Sequence, residues 1–134
     1  MKKVLTFGVY DMLHIGHILL FQRAKALGDH LIVAVQEGDY ILKYKPDTKM
    51  IYSTEERLYM VDSIKYVDEV VTYKDVDIDI QQIDFDIFAK GPDQQHEGFQ
   101  RAVRWCEQNG KEVVVLPRTE GISSTMLRGY SRLF

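Results

Sequence analysis

The chain has 134 residues, of which 46% are hydrophobic and 28% charged, with three prolines and one cysteine. That length and apolar content support one domain and exclude a disordered chain, and the single cysteine, Cys106, excludes an internal disulfide. A net charge of −3 lacks the basic footprint of a general nucleic-acid binder. No apolar run approaches a membrane span or a signal peptide, so a cytoplasmic protein with no membrane partner is the expectation.

Apolar and periodic segments alternate along the chain without repeats or linkers. Lys3 to Val9 reads as a strand. Gly16 to Leu27 reads as an amphipathic helix with Ile18, Leu20, Phe21, Ala24 and Leu27 near one face, stopped by Gly28. Leu31 to Val35 is a continuous apolar run, as in a strand covered on both faces. Gln36 to Ser53 is polar, is interrupted by Gly38 and Pro46, and reads as a long loop of the kind that carries function. Ser53 and Glu56 form a capping box for a helix reaching about Tyr66. Glu69 to Thr72 reads as a third strand, Ile78 to Ile83 as a short helix, and Ile87 to Lys90 as a fourth strand closed by Gly91 and Pro92. Glu97 to Asn109 reads as a helix ended at Gly110, Glu112 to Leu116 as a fifth strand, and Ser123 to Arg132 as a last helix. This alternation predicts an α/β fold over residues 1–134: one Rossmann-like, doubly wound domain with a five-stranded parallel sheet and helices on both faces. Ligands of such sheets bind beyond the carboxyl ends of the strands, near the switch in strand order.

The first strand is followed by Gly8-Val9-Tyr10-Asp11-Met12-Leu13-His14-Ile15-Gly16-His17. This is neither a dinucleotide fingerprint nor a P-loop. Two histidines flank a glycine where a helix opens, and helix amino termini attract anions. Gly8 is placed to let a ligand approach the backbone, and Gly16 to leave room for phosphate. A zinc pair is the competing reading, but no third ligand stands nearby. After the fifth strand come Arg118, Thr119, Glu120, Gly121, Ile122, Ser123, Ser124 and Thr125. Hydroxyls and amides at a helix start, with a forked cation beside them, make a phosphate cradle. The same residues taken alone suit an ordinary capped helix equally well.

Together, the two segments carry a resemblance. Val9 to His17 resembles the G-x-F-D-x-x-H-x-G-H motif of the nucleotidyltransferase superfamily, with Tyr10 in the Phe position, and Arg118 to Thr125 resembles the R-T-E-G-I-S-x-T motif of the cytidylyltransferases. The similarity runs along the whole chain and is greatest to the bacterial glycerol-3-phosphate cytidylyltransferases. It implies transfer of a cytidylyl group from CTP to a small phosphate monoester, with CDP-glycerol for teichoic acid or capsule as the leading product. It also implies a homodimer, and Mg²⁺ carried by the CTP phosphates rather than by a metal site of the protein. The length matches a minimal enzyme of this kind.

The resemblance assigns His14, His17, Lys45 and Arg118 to catalysis, as donors to the phosphates. It assigns Gly8, Val9, Tyr10, Asp11, Gly16, Lys43, Asp93 and the segment Thr119 to Ser124 to the nucleotide. The lysine loop is longer than in the similar enzymes, so Lys45 is the first choice and Lys43 the second. Lys65 replaces an arginine of the family pattern and, with His96, is a candidate for the acceptor substrate. Gly91-Pro92-Asp93-Gln94 departs from the acidic sequence found there and is similar to ATP-using FAD synthetases. An adenylyltransferase of that or the heptose type is therefore the alternative, as is a cytidylyltransferase for another polyol, aminoalcohol or amino-acid-derived phosphate. Trp105, Cys106 and the aspartates between Asp75 and Asp86 read as packing and solvated surface.

Overall fold

The computed structural model describes residues 1–117. The elements run β1 (Lys3–Gly8), α1 (Ile15–Lys25), β2 (His30–Gln36), α2 (Gly38–Tyr44), α3 (Thr54–Asp62), β3 (Glu69–Tyr73), α4 (Val76–Asp79) with a 3-10 turn (Ile80–Gln82), β4 (Ile87–Lys90), α5 (Glu97–Gln108) and β5 (Glu112–Val115). The predicted last helix, Ser123 to Arg132, lies outside the described residues.

All five strands are parallel, in the order β3-β2-β1-β4-β5. Leu5, Phe7, Ile32, Ala34 and Phe88 face one side, where Val76, Ile80, Phe99, Ala102 and Cys106 from α4, the 3-10 turn and α5 cover them. Val4, Leu31, Val33, Val35, Ile87 and Ala89 face the other side, against Phe21 and Ala24 of α1 and Val61 of α3. Both faces of β1 and β2 are thereby buried, which is why their sequence is continuously apolar. Strand order reverses between β1 and β4. The ladder there pairs only Val4 with Ile87 and Leu5 with Phe88, so the two strands part toward their carboxyl ends and open a crevice.

The expected architecture is present, with local differences. Helix α1 starts at Ile15 and ends at Lys25, because Leu27 and Gly28 turn back toward the sheet. Gly28 takes no left-handed conformation. A Cβ there would lie 2.7 Å from the Lys2 carbonyl, so the glycine permits close backbone approach instead. Gly110 does end α5 with a φ of 71°. The capping box of α3 is formed in both directions between Ser53 and Glu56, but the helix stops at Asp62, short of Tyr66.

The largest difference is α2, which occupies part of the segment predicted as loop. Its only fully apolar anchor is Ile41, which is buried, and its amino end is held by Gly38 N–H donating to Thr54 Oγ1 at 3.0 Å. One anchor in two turns leaves no periodicity to read. None of the helices among the described residues is long and apolar enough to cross a membrane.

Candidate active site

The loops after β1, β2 and β4 meet at the carboxyl edge of the sheet, and the two histidines stand at the crevice between β1 and β4. His14 is the N-cap of α1 and His17 its third residue. His14 Nδ1 accepts from Gly16 N–H at 3.0 Å, and His17 Nδ1 accepts from His14 N–H at 3.2 Å. The pair is a capping box built from imidazoles in place of the usual hydroxyl and carboxylate. An Nδ1 that accepts carries no proton, so each neutral ring bears its hydrogen on Nε2. The rings lie 4.0 Å apart, tilted by 31°. Burial, helped by His14, pushes His17 down to about 4, and burial also lowers His14. Both are neutral Nε2–H donors near neutral pH. Gly16, expected to leave room for phosphate, has its N–H committed to His14.

Tyr10 packs under this pair. Its ring meets His17 at 5.5 Å and Phe21 at 5.2 Å, both edge-on. The backbone is left-handed there, with φ 57°, a conformation that the surrounding packing must hold. Gly8 is explained by the same ring: a Cβ on Gly8 would lie 2.4 Å from the Tyr10 side chain. The space reserved by Gly8 is thus filled by the protein itself. The Tyr10 hydroxyl is buried beside Thr6 without a satisfying partner, and burial raises its pKa far above the usual range.

Asp11 spends its carboxylate on backbone. Oδ1 accepts from Tyr52 N–H and Oδ2 from Ile51 N–H, both at 2.9 Å, which clasps the first loop to the end of the lysine loop. The residue that ties the ends of β1 and β2 to α3 belongs to no motif in the sequence. Arg57 is fully buried. Its guanidinium donates to the Val9 carbonyl at 2.9 Å, the Gln36 carbonyl at 2.7 Å and Thr54 Oγ1 at 3.2 Å. Burial lowers its pKa and nearby Asp11 raises it. The available signal was its place on the inward stripe of α3, four residues before buried Val61.

Gln94 is a second such residue. Its Nε2 donates to the Phe7 carbonyl at 2.6 Å and its Oε1 accepts from Gly91 N–H at 3.2 Å. Phe7 lies beyond the end of the β1–β4 ladder, so this side chain supplies the hydrogen bond the ladder no longer provides.

Lys45 ends α2 and Lys43 stands over the rings of Tyr40 and Tyr44, both on the exposed surface. Asp93 is exposed on the loop after β4. His96 caps α5, its Nδ1 accepting from Gly98 N–H at 3.1 Å. Burial and the nearby cations Lys45 and Arg101 lower its pKa. Lys65 is placed elsewhere: it lies in the turn that enters β3, with its amine over the Tyr66 ring. That turn is at the amino edge of the sheet, opposite the histidines, so Lys65 is not brought to them within this chain. Arg118, Thr119, Glu120, Gly121, Ile122, Ser123 and Ser124 lie outside the described residues.

A family model described as cytidylyltransferase-like matches residues 5–129. The chain belongs to that family. It is 41% identical over 131 residues to the glycerol-3-phosphate cytidylyltransferase of Bacillus subtilis (strain 168), covering 96% of this chain and 95% of the relative. Identity to the enzyme of the same name in Staphylococcus aureus is also 41%, over 96% of this chain and 93% of the relative. The cytidylyltransferase-like fold appears again in a solved lipopolysaccharide core biosynthesis protein from Thermoplasma volcanium GSS1, with a TM-score of 0.71, 26% identity, and coverage of 89% of this chain and 97% of that one.

Two consequences are measurable. Replacing Arg57 with Met strands the Val9 and Gln36 carbonyls in the interior, and urea denaturation will show a loss of about 2–4 kcal/mol. Lysine, which lacks the fork, will not restore it. His17 has an ordinary value of 6.5 when unfolded and about 4 when folded, so above pH 6.5 its titration leaves stability unchanged. Between those values the unfolded chain takes up a proton that the folded chain refuses, and stability falls as pH falls. A His17→Gln variant will lose less stability than the parent between pH 6.5 and 4.

Proposed function

We propose that this member of the cytidylyltransferase-like family converts CTP and glycerol 3-phosphate to CDP-glycerol and pyrophosphate. The observation that carries the reading is the imidazole capping box at the β1–β4 crevice. It fixes two neutral Nε2–H donors at the place where sheets of this topology bind nucleotides. The names and near full-length identity of the relatives supply the substrates.

In this reaction a phosphate oxygen of the acceptor attacks the α-phosphorus of CTP in line with the departing pyrophosphate. The acceptor is already ionised near neutral pH, so the protein needs no nucleophile of its own. It must align the two phosphates and offset the charge that grows on phosphorus oxygens and on the leaving group. His14 and His17 donate hydrogen bonds to these oxygens, and Lys45 adds a full positive charge. Arg118 and the Thr119 to Ser124 segment are assigned to the same phosphates by their sequence.

The donors of this site suit anions. His14 and His17 have both Nδ1 atoms occupied, and the Asp11 carboxylate already accepts two backbone N–H groups. The reading therefore has Mg²⁺ arriving on the CTP phosphates, where it neutralises charge. The reading also includes a homodimer, supported by large apolar side chains left exposed on α1, on α3 and in the loop before α3, among them Ile15, Ile51 and Tyr59.

A second reading, adenylyl transfer from ATP, draws on the Gly91-Pro92-Asp93-Gln94 loop. The test is pyrophosphate release with Mg²⁺, CTP or ATP, and a panel of phosphate monoesters. Turnover with CTP and glycerol 3-phosphate is the predicted result, with His17→Ala lowering kcat by about 10² or more. Turnover with ATP alone would overturn the choice of nucleotide.

A further inference from the structure

Helix α2 is too short to hold itself in water. Its amino end is secured by Thr54 and by buried Ile41. Its carboxyl end, which presents Lys45, is tied to α4: the Tyr44 hydroxyl donates to Asp75 Oδ1 at 2.6 Å. Asp75 stands at the N-cap of α4, where a carboxylate ordinarily accepts from its own helix. It makes no such bond, and its carboxylate serves Tyr44 instead. Asp77 of α4 in turn accepts from Arg101 Nε of α5 at 2.8 Å. Through α4, the end of α2 is thereby connected to the helix that His96 caps, and Lys45 lies close enough to His96 to repel its protonated form.

We infer that the Tyr44–Asp75 hydrogen bond is a latch that fixes the carboxyl end of α2 and positions Lys45 for the phosphates. The inference rests on the proposed reaction for the task of Lys45. Tyr44 is 58% exposed, so its hydroxyl adds little to the core. A charge-assisted bond to a residue distant in sequence orders the chain at a point where order helps binding. With the latch released, Lys45 must be ordered each time the nucleotide binds.

The test uses Tyr44→Phe, which keeps the ring beneath Lys43 and removes only the donor. Steady-state kinetics are measured for the parent, Tyr44→Phe, Lys45→Ala and the double variant. Amide hydrogen exchange is measured on the nucleotide-free parent and Tyr44→Phe. The expected result is a KM for CTP raised about 3–10-fold in Tyr44→Phe, with kcat within about twofold and Tm little changed. In the Lys45→Ala background the same change will add nothing. Exchange will quicken at the Lys45 and Thr48 amides, which bond to Ile41 and Lys45 carbonyls. Unchanged exchange would overturn the latch, and a KM effect that persists without Lys45 would overturn its action through that lysine. Absence of pyrophosphate from CTP in the parent would sink the reaction itself, while the exchange comparison still decides the latch.

Discussion

Two hydrogen bonds of a helix cap set the chemistry that this fold offers. By accepting Gly16 N–H and His14 N–H on their Nδ1 atoms, His14 and His17 start helix α1 and at the same time keep their protons on Nε2. Structural and chemical roles are inseparable here. A serine and glutamate would cap the helix as well, as Ser53 and Glu56 do for α3, but would present no N–H to a phosphate. Burial keeps the imidazoles neutral, so they act as donors of directed hydrogen bonds rather than as fixed charges.

The rest of the site keeps this pair where the strands part. Tyr10, in a left-handed backbone conformation, puts its ring between His17 and the core, and Gly8 leaves it the room. Arg57 holds the ends of β1 and β2 to α3 from beneath, while Asp11 clasps the lysine loop from above. Gln94 replaces a missing rung between β1 and the loop after β4. Arg57 and Gln94 satisfy carbonyls at the ends of β1 and β2, and Asp11 satisfies amides of the lysine loop. Opening a binding crevice in a parallel sheet therefore requires polar side chains at its floor.

Much of this was legible in the sequence. The alternation of apolar runs and helical stripes specified the five strands and four of the helices, and the His14-Ile15-Gly16-His17 motif pointed to the crevice between β1 and β4. Three features were not legible, each for a physical reason. Helix α2 depends on a cap supplied by Thr54, a contact between segments that periodicity does not encode. Arg57 carries no sequence mark of its role because its acceptors are carbonyls distant in sequence. Lys65 was a candidate for the acceptor substrate by its motif, whereas the direction of α3 carries it to the far edge of the sheet. The glycines show the same limit: Gly8 and Gly28 were rightly marked as special, but the atoms that require them are Tyr10 and the Lys2 carbonyl.

The tautomer of the two histidines is the most direct measure of the account. Long-range proton–nitrogen correlation spectra of the nucleotide-free protein near pH 7, assigned with His14→Gln and His17→Gln, report which ring nitrogen carries hydrogen. The account predicts Nε2–H for both rings, with Nδ1 shifted as a hydrogen-bond acceptor. An Nδ1–H tautomer on either ring, or imidazolium on both, would contradict it.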